Sequence, residues 1–221
     1  MTAIIQVESV SKSFPSGDSL CYALKDISFS ISSGESVAIV GPSGSGKSTL
    51  LSVLAGLDSV TTGTIDVAGY RLSEMSESKI AAVRARLMGF VFQSYRLIPS
   101  LTALENVQLP LELLKESNTR PKAEAILSSM GLSSRLDHYP AQLSGGEQQR
   151  VAIARAIVHS PHIIFADEPT GNLDSETGSL VTDLLFEKAR SCTLVLVTHD
   201  PKIAGATARQ LHIQDGHLVR H

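Results

Sequence analysis

The sequence predicts an α/β fold interrupted by a helical insert, and three observations carry that expectation. Val37-Ala38-Ile39-Val40 is a continuous apolar run that feeds directly into a glycine-rich loop and then a helix pattern. Ile163-Ile164-Phe165-Ala166 is a second such run, and it ends in Asp167 and Glu168. Between them, from residue 95 to about residue 139, the pattern turns helical. Short apolar runs bounded by turn signals are expected of strands buried on both faces.

The elements follow in order. Ile5, Val7 and Val10 lie in a first strand pattern. Ile27-Ser28-Phe29-Ser30-Ile31 alternates apolar and polar residues, as a half-buried strand does, and Ser33-Gly34 turns the chain. The helix after the glycine-rich loop is expected over residues 47–56, and a strand at Thr64-Ile65-Asp66-Val67 precedes a turn at Gly69. Gly89-Phe90-Val91-Phe92 reads as another buried strand. In the helical stretch, Thr102 and Glu105 form a capping box. A further helix begins at Pro121 and stops at Gly131. Strand patterns resume over residues 163–166, 193–197 and 211–213, without internal repeats, low-complexity segments or interdomain linkers.

At 221 residues, with 43% hydrophobic and 19% charged residues, the chain suits one globular domain, with or without a subdomain. A net charge of −3 lacks the basic surplus of a nucleic-acid binder, so no nucleic-acid partner is expected. Cys21 and Cys192 have no metal-ligand spacing and suit a reducing compartment. The apolar runs fall far short of the roughly 20 residues of a membrane-spanning helix. The N-terminal stretch carries Glu8 and no basic region, so no signal peptide is expected. Membrane work would need a partner.

Gly41-Pro42-Ser43-Gly44-Ser45-Gly46-Lys47-Ser48 matches G-x-x-x-x-G-K-[ST] in full, after a strand and before a helix. Glycines let backbone N–H groups face phosphate oxygens, and the helix adds its positive end. This stretch predicts binding of a nucleoside triphosphate. Lys47 would neutralise the β- and γ-phosphates, Ser48 would offer its hydroxyl to Mg²⁺, and Thr49 is placed for the α-phosphate. Asp167 and Glu168 end a buried strand, where α/β folds bind ligands. Asp167 would hold Mg²⁺ through water and Glu168 would act as general base, although an acid pair also suits a helix N-terminus.

Leu143-Ser144-Gly145-Gly146-Glu147-Gln148-Gln149-Arg150 is a second glycine-rich helix start. Ser144 and Glu147 make a capping box on their own account. Two glycines in a first turn cost roughly 1 kcal/mol each against alanine, which a plain cap does not require. Bare N–H groups at a helix N-terminus suggest a second phosphate grip. The residues alone leave open whether it acts on the same nucleotide or another.

With these motifs the chain resembles, over essentially its whole length, the ATP-binding cassette (ABC) ATPases. Residues 41–49 look like the Walker A motif and Phe90-Val91-Phe92-Gln93 like the Q-loop. Residues 143–147 look like the signature and residues 163–168 like Walker B. Gly171-Asn172-Leu173-Asp174 is similar to the D-loop and Thr198-His199-Asp200 to the switch histidine. Within the family, Gly89-Phe90-Val91-Phe92-Gln93, Leu97-Ile98-Pro99 and residues 101–107 and 166–174 resemble the lipoprotein-releasing and macrolide-export type (LolD and MacB). Residues 143–150, 163–174 and 183–186 look nearest the YbbA-like members. Glu147 stands where the wider family often has Gln, and the stretch from Phe186 to Thr193 is shorter than in its relatives.

The resemblance implies a RecA-like P-loop NTPase core with an antiparallel β subdomain and an inserted α-helical subdomain, the ABC ATPase fold. Residues 1–221 would form one such domain. Residues 1–93 and 160–221 would supply the β subdomain and core, and residues 94–159 the helical, signature-bearing part. It further implies a MgATP hydrolase that pairs head to tail with a second copy of itself. ATP would lie between Gly41, Ser43, Gly44, Ser45, Gly46, Lys47, Ser48, Thr49, Gln93, Asp167, Glu168 and His199 of one copy and Ser144, Gly145 and Gly146 of the other. Glu147 and Asp174 belong to the same implied set. Ser48, Gln93 and Asp167 would ligate Mg²⁺, and Lys47, Gln93, Glu168 and His199 would serve turnover. An aromatic face stacks on adenine without reading the base; Phe14 fits the subfamily's position, with Tyr22 as its rival. The implied partner is an FtsX-like permease at the cytoplasmic face of a bacterial inner membrane, with or without a periplasmic adaptor. Tyr95, Leu97, Ile98 and Leu101 would form its docking groove or else pack locally. A regulatory cassette of the FtsE type, signalling without moving a solute, is the alternative. The substrate is not written in this chain.

Overall fold

A long β-hairpin opens the chain. The computed structural model describes residues 2–17 and 19–219. In order, the elements are β1 (Ala3–Ser16), β2 (Ser19–Ser32), β3 (Ser36–Val40), α1 (Lys47–Leu54), β4 (Thr62–Val67), β5 (Tyr70–Arg71), α2 (Glu77–Leu87) and β6 (Met88–Phe92). There follow α3 (Ala103–Leu113), α4 (Thr119–Ser129), α5 (Gly145–Ile157), β7 (Ile163–Asp167), α6 (Ser175–Lys188), β8 (Thr193–Val197), α7 (Pro201–Gly205), β9 (Arg209–Gln214) and β10 (His217–Val219). The chain divides into two compact units. One takes in the chain up to Arg84 and again from Thr193; the other runs from Ala85 to Cys192.

The first unit holds an antiparallel sheet in the order β2-β1-β4-β5. Its strands alternate as half-buried strands should: Ile5, Val7 and Val10 on β1 and Leu24, Ile27 and Ile31 on β2 are buried. The step of three between Val7 and Val10 coincides with a register shift against β2, a bulge that keeps both valines on the core side. The same unit holds a parallel ribbon: β3 pairs with β8 on one side (Ala38 opposite Leu196) and with β9 on the other (Ala38 opposite Gln210). β10 folds back antiparallel on β9. Val37, Ala38 and Ile39 are fully buried, which accounts for the unbroken apolar run.

In the second unit β6 and β7 run parallel, with Phe90 opposite Phe165 and their rings stacked at 5.7 Å. Helix α5 lies hard against β6: a Cβ on Gly89 would stand 2.1 Å from the Ala156 carbonyl oxygen. Helix α3 starts in the expected Thr102–Glu105 capping box, and α5 starts in the Ser144–Glu147 box.

Several boundaries differ from the sequence expectation. β1 and β2 run 14 residues each, because the polar tip beyond the core still pairs strand to strand. Helix α1 ends at Leu54, and Gly56 turns the chain with φ 62°. Helix α4 starts two residues before Pro121, which sits in its first turn where no N–H is required. The helical stretch starts only at Ala103, not at Tyr95: Tyr95 and Arg96 instead adopt left-handed backbone, with φ 57° and 46°. The short stretch after Phe186 is closed by α6 running to Lys188 and a 3₁₀ turn at Ala189–Ser191 that leads into β8. Among the described residues no helix is long and apolar enough to cross a membrane.

Candidate functional site

In the first unit the glycine-rich loop follows the carboxyl end of β3 and opens α1. Gly41, Gly44 and Gly46 have φ 153°, 76° and 107°, conformations that a side chain would strain. Two of them also lack room. A Cβ on Gly41 would lie 2.0 Å from the Ile213 carbonyl oxygen, and one on Gly46 would lie 2.4 Å from that of Ala23. The loop's back is held by the β9–β10 turn. The Gly216 N–H donates to the Ser45 carbonyl at 3.1 Å, and the Lys25 N–H donates to the Gly216 carbonyl at 2.8 Å.

Gly46 is the N-cap of α1, no side chain caps that helix, and no acid stands in its first turn. The helix start therefore has no side-chain cap and no acid to offset its positive end. Lys47 donates to the carbonyls of Gly41 and Pro42 at 3.0 and 2.8 Å, so its ammonium sits at the loop's own rim. Ser45 is only 4% exposed, and its Oγ is buried without a hydrogen-bond partner.

Strand β8 lies beside β3 and in parallel with it, so its carboxyl end delivers Thr198 and His199 to the same edge as the loop. Thr198 is buried and accepts from the Asp200 N–H at 3.0 Å, Asp200 caps α7, and His199 is exposed. The strand register separates the two aromatic candidates. Ser13 pairs with Tyr22, Phe14 with Cys21 and Lys12 with Leu24. Directly opposed residues share a face, so Lys12, Phe14 and Leu24 lie on one side of the hairpin and Tyr22 on the other. The Leu24 side chain is the one a Cβ on Gly46 would approach to 3.1 Å. Phe14 thus belongs to the face that fronts the loop, with the Lys12 ammonium 4.9 Å from its ring centre.

In the second unit Gln93 follows β6 and Glu168 follows β7, and the register places Phe92 opposite Asp167. The two strand ends are therefore side by side. Glu168 has φ 46°, a strained backbone for a side-chain-bearing residue that costs of order 1–3 kcal/mol. Two contacts hold the segment after it: the Gln149 side chain, fully buried, donates to the Pro169 carbonyl at 2.5 Å, and the Gly171 N–H donates to the Glu168 carbonyl at 3.0 Å. Gln93 and Asn172 are joined twice. Asn172 Nδ2 donates to the Gln93 carbonyl at 2.9 Å, and Gln93 Nε2 donates to Asn172 Oδ1 at 3.4 Å. Asp174 caps α6 by accepting from the N–H groups of Glu176 and Thr177, and those bonds lower its pKa.

The Ser144 turn is self-contained. Ser144 Oγ accepts from the Glu147 N–H at 3.2 Å, and the Glu147 carboxylate accepts from the Ser144 N–H at 2.8 Å. Arg135 donates to the other carboxylate oxygen at 2.8 Å. The Ser144 N–H, with Arg135 next, pushes the Glu147 pKa down from 4.5 to about 2. The two glycines have a local cause that the sequence did not reveal. A Cβ on Gly145 would stand 2.9 Å from Tyr95 Oη, and one on Gly146 would stand 2.4 Å from Thr177 Cγ2. Close packing inside the unit thus accounts for both, and the glycine cost by itself no longer argues for a ligand.

Sequence reasoning overlooked Asn106, Asn172 as a partner of Gln93, and Arg155. Asn106 is fully buried: its amide donates to the carbonyls of Ile98, Leu101 and Thr102 and accepts from the Ile98 N–H. It fixes the loop in which Leu97 is half-buried and Ile98 is exposed. Arg155 donates to the Tyr95 and Arg96 carbonyls. A polar residue on a helix's apolar face was the available signal for Asn106.

The loop with His199 lies in the first unit, and Gln93, the acid pair and the capped glycine pair lie in the second. The family model for ABC transporters matches residues 24–171, and this chain belongs to that family as an ATP-binding cassette ATPase, a transporter subunit class. Among its relatives, the "Uncharacterized ABC transporter ATP-binding protein YbbA" of Escherichia coli K12 is 49% identical over 219 residues, covering 97% of this chain and 96% of the relative. The "Uncharacterized ABC transporter ATP-binding protein MJ1508" of Methanocaldococcus jannaschii is 47% identical, with 98% of each covered. The "Macrolide export ATP-binding/permease protein MacB" of Escherichia coli K12 is 44% identical over all of this chain but only 35% of the relative. The solved dimeric, post-hydrolysis structure of the ATP-binding cassette MJ0796 bound to ADP and Pi superposes with a TM-score of 0.90 at 40% identity, covering 98% of this chain and 97% of that one. The ABC cassette fold expected from the sequence is therefore borne out.

Proposed function

We propose that this cassette hydrolyses MgATP as a homodimer at the cytoplasmic face of a bacterial inner membrane and drives an FtsX-like permease in export or extraction. The observation that carries the nucleotide reading is the start of α1, without a side-chain cap or an acid, with its three left-handed glycines, Lys47 and the unpartnered Ser45 hydroxyl. That constellation suits a polyphosphate: N–H groups and an ammonium meet its oxygens, and Ser45 gains the acceptor it lacks. Phe14 stacks on the adenine. His199, at the same edge as the loop, meets the γ-phosphate.

The hard oxygen donors Ser48, Gln93 and Asp167 fit Mg²⁺. Among the described residues no group of three or more His, Cys, Asp or Glu forms a dedicated metal cage, which suits an ion that retains waters and binds substrate phosphates. Bound there, Mg²⁺ would neutralise charge on the β- and γ-phosphates. Glu168 takes the proton from the attacking water, and Lys47 and His199 stabilise charge on the γ-phosphoryl oxygens. Ser144, Gly145 and Gly146 of a second copy complete the site, while Glu147 and Asp174 hold the turns in shape. MJ0796 was solved as a dimer with ADP and Pi, and MacB is named as both ATP-binding protein and permease; these relatives support the dimer and the membrane partner.

Glu168→Gln should keep ATP affinity, lose at least about 100-fold in turnover, and accumulate as an ATP-bound dimer in light scattering. Near-normal hydrolysis would remove Glu168 from the role of base, and a wild-type chain that does not bind ATP would sink the whole reading. Replacing Leu97 and Ile98 with Asp should release the permease in co-purification while leaving the cassette folded by circular dichroism. Unchanged capture would refute the docking assignment.

A further inference from the structure

We infer that Tyr95 and Arg155 are positioning residues that tie the Ser144 turn to Gln93 within one subunit. The inference rests on the assignment of Gln93 and of Ser144, Gly145 and Gly146 to nucleotide contact made above. Tyr95 and Arg96 are consecutive side-chain-bearing residues in left-handed backbone, two residues beyond Gln93. Such a pair is unfavourable and persists only where its surroundings over-determine it. Here they do. The Arg155 guanidinium donates to the Arg96 carbonyl at 2.6 Å and to the Tyr95 carbonyl at 2.9 Å, a planar fork closing on two successive carbonyls. The Tyr95 N–H donates to the Phe92 carbonyl at 3.1 Å, and the Arg96 guanidinium lies 4.5 Å from the Phe92 ring centre. Burial lowers the Arg155 pKa, so this charge is held away from water for the sake of those carbonyls.

The turn aims the Tyr95 ring at the start of α5, the helix that carries Arg155 in its last turn. Tyr95 Oη stands where a Cβ of Gly145 would come within 2.9 Å, and Leu173 Cδ2 stands 3.4 Å from the same point. On the far side, Asn172 is bonded twice to Gln93, and Gly146 packs on Thr177, whose N–H is capped by Asp174. Gln93, Tyr95, the Ser144 turn and the 171–177 segment therefore close a ring of direct contacts inside one unit. A shift of Gln93 moves the Tyr95 ring and with it Gly145. Phosphate state sensed at one nucleotide is thereby passed to the turn that meets the other.

Amide hydrogen exchange on the full chain without nucleotide tests the tie. Arg155→Met should speed exchange about tenfold or more at residues 95–97 and also at Glu147 and Gln148, with β7 unchanged. Faster exchange at residues 95–97 alone, or a uniform rise that includes β7, would overturn the inference. Gly145→Ala should lower kcat about tenfold, and adding Tyr95→Phe, which deletes the opposing oxygen, should recover at least about threefold with KM for ATP unchanged. No recovery would refute the role of the hydroxyl. Because the exchange measurement needs no ATP, a chain that failed to hydrolyse ATP would overturn the function proposed above while leaving this result to stand by itself.

Discussion

The two glycine-rich helix starts differ in almost every respect that matters for binding. Helix α1 begins on a left-handed glycine, with no side-chain cap and no acid in its first turn. Helix α5 begins on an extended serine, with a complete capping box and a carboxylate fixed by Arg135. At the first start the glycines serve backbone angles that other residues strain to adopt; at the second they serve close approach of Tyr95 and Thr177. The comparison teaches that glycine content alone does not identify a phosphate site. The first start has neither a side-chain cap nor an acid, whereas the second is capped within its own unit and owes its glycines to close packing, so any nucleotide contact there comes in addition to that packing.

Substitutions should expose that difference in a definite order. Gly46→Ala meets both a left-handed φ and the Ala23 carbonyl, so it should cost more than about 3 kcal/mol in urea unfolding and abolish nucleotide binding. Gly146→Ala meets only the Thr177 methyl and should cost about 1–3 kcal/mol, leaving nucleotide affinity of the monomer intact by calorimetry. Equal losses at the two positions would erase the distinction.

Glu147→Gln should cost about 1.5–3 kcal/mol at neutral pH, with the loss visible in urea midpoints. Because the folded pKa of Glu147 lies below its ordinary value, the folded chain binds this proton less readily than the unfolded chain. Its contribution is full above about pH 4.5 and fades as the pH falls to about 2. The stability gap between wild type and Glu147→Gln should narrow across that window, and a gap independent of pH would remove the charge from the explanation. The smallest effect is expected of Ser144→Ala, about 1 kcal/mol, as for other lost caps.

Signals carried by neighbours in sequence were legible. The strand–loop–helix of β3 and α1 and the boxes at Thr102 and Ser144 follow from periodicity and capping chemistry over a few residues. What escaped notice depends on distant partners. Helix α2 was missed because Glu77-Ser78-Lys79-Ile80-Ala81-Ala82-Val83 has only a weak apolar stripe. The left-handed pair at Tyr95 and Arg96 was read as helix because its cause, Arg155, lies 60 residues away from Tyr95. Which of Phe14 and Tyr22 shares a face with Leu24 depends on the register of β1 on β2, which no local pattern shows. The glycines at 145 and 146 have a packing cause, in Tyr95 and Thr177, that lies 50 and 31 residues away and is not visible locally.

The turn at Gly216 has a consequence for synthesis. Its N–H supports Ser45 and its carbonyl engages Lys25, and Ile213 walls the loop behind Gly41. Residues near the beginning of the chain thus wait for residues near its end. On the ribosome, the loop emerges early but lacks its rear support until translation has passed Gly216. A nascent chain in which only the first half has emerged would carry the whole glycine-rich motif and still have no rigid place to seat a phosphate.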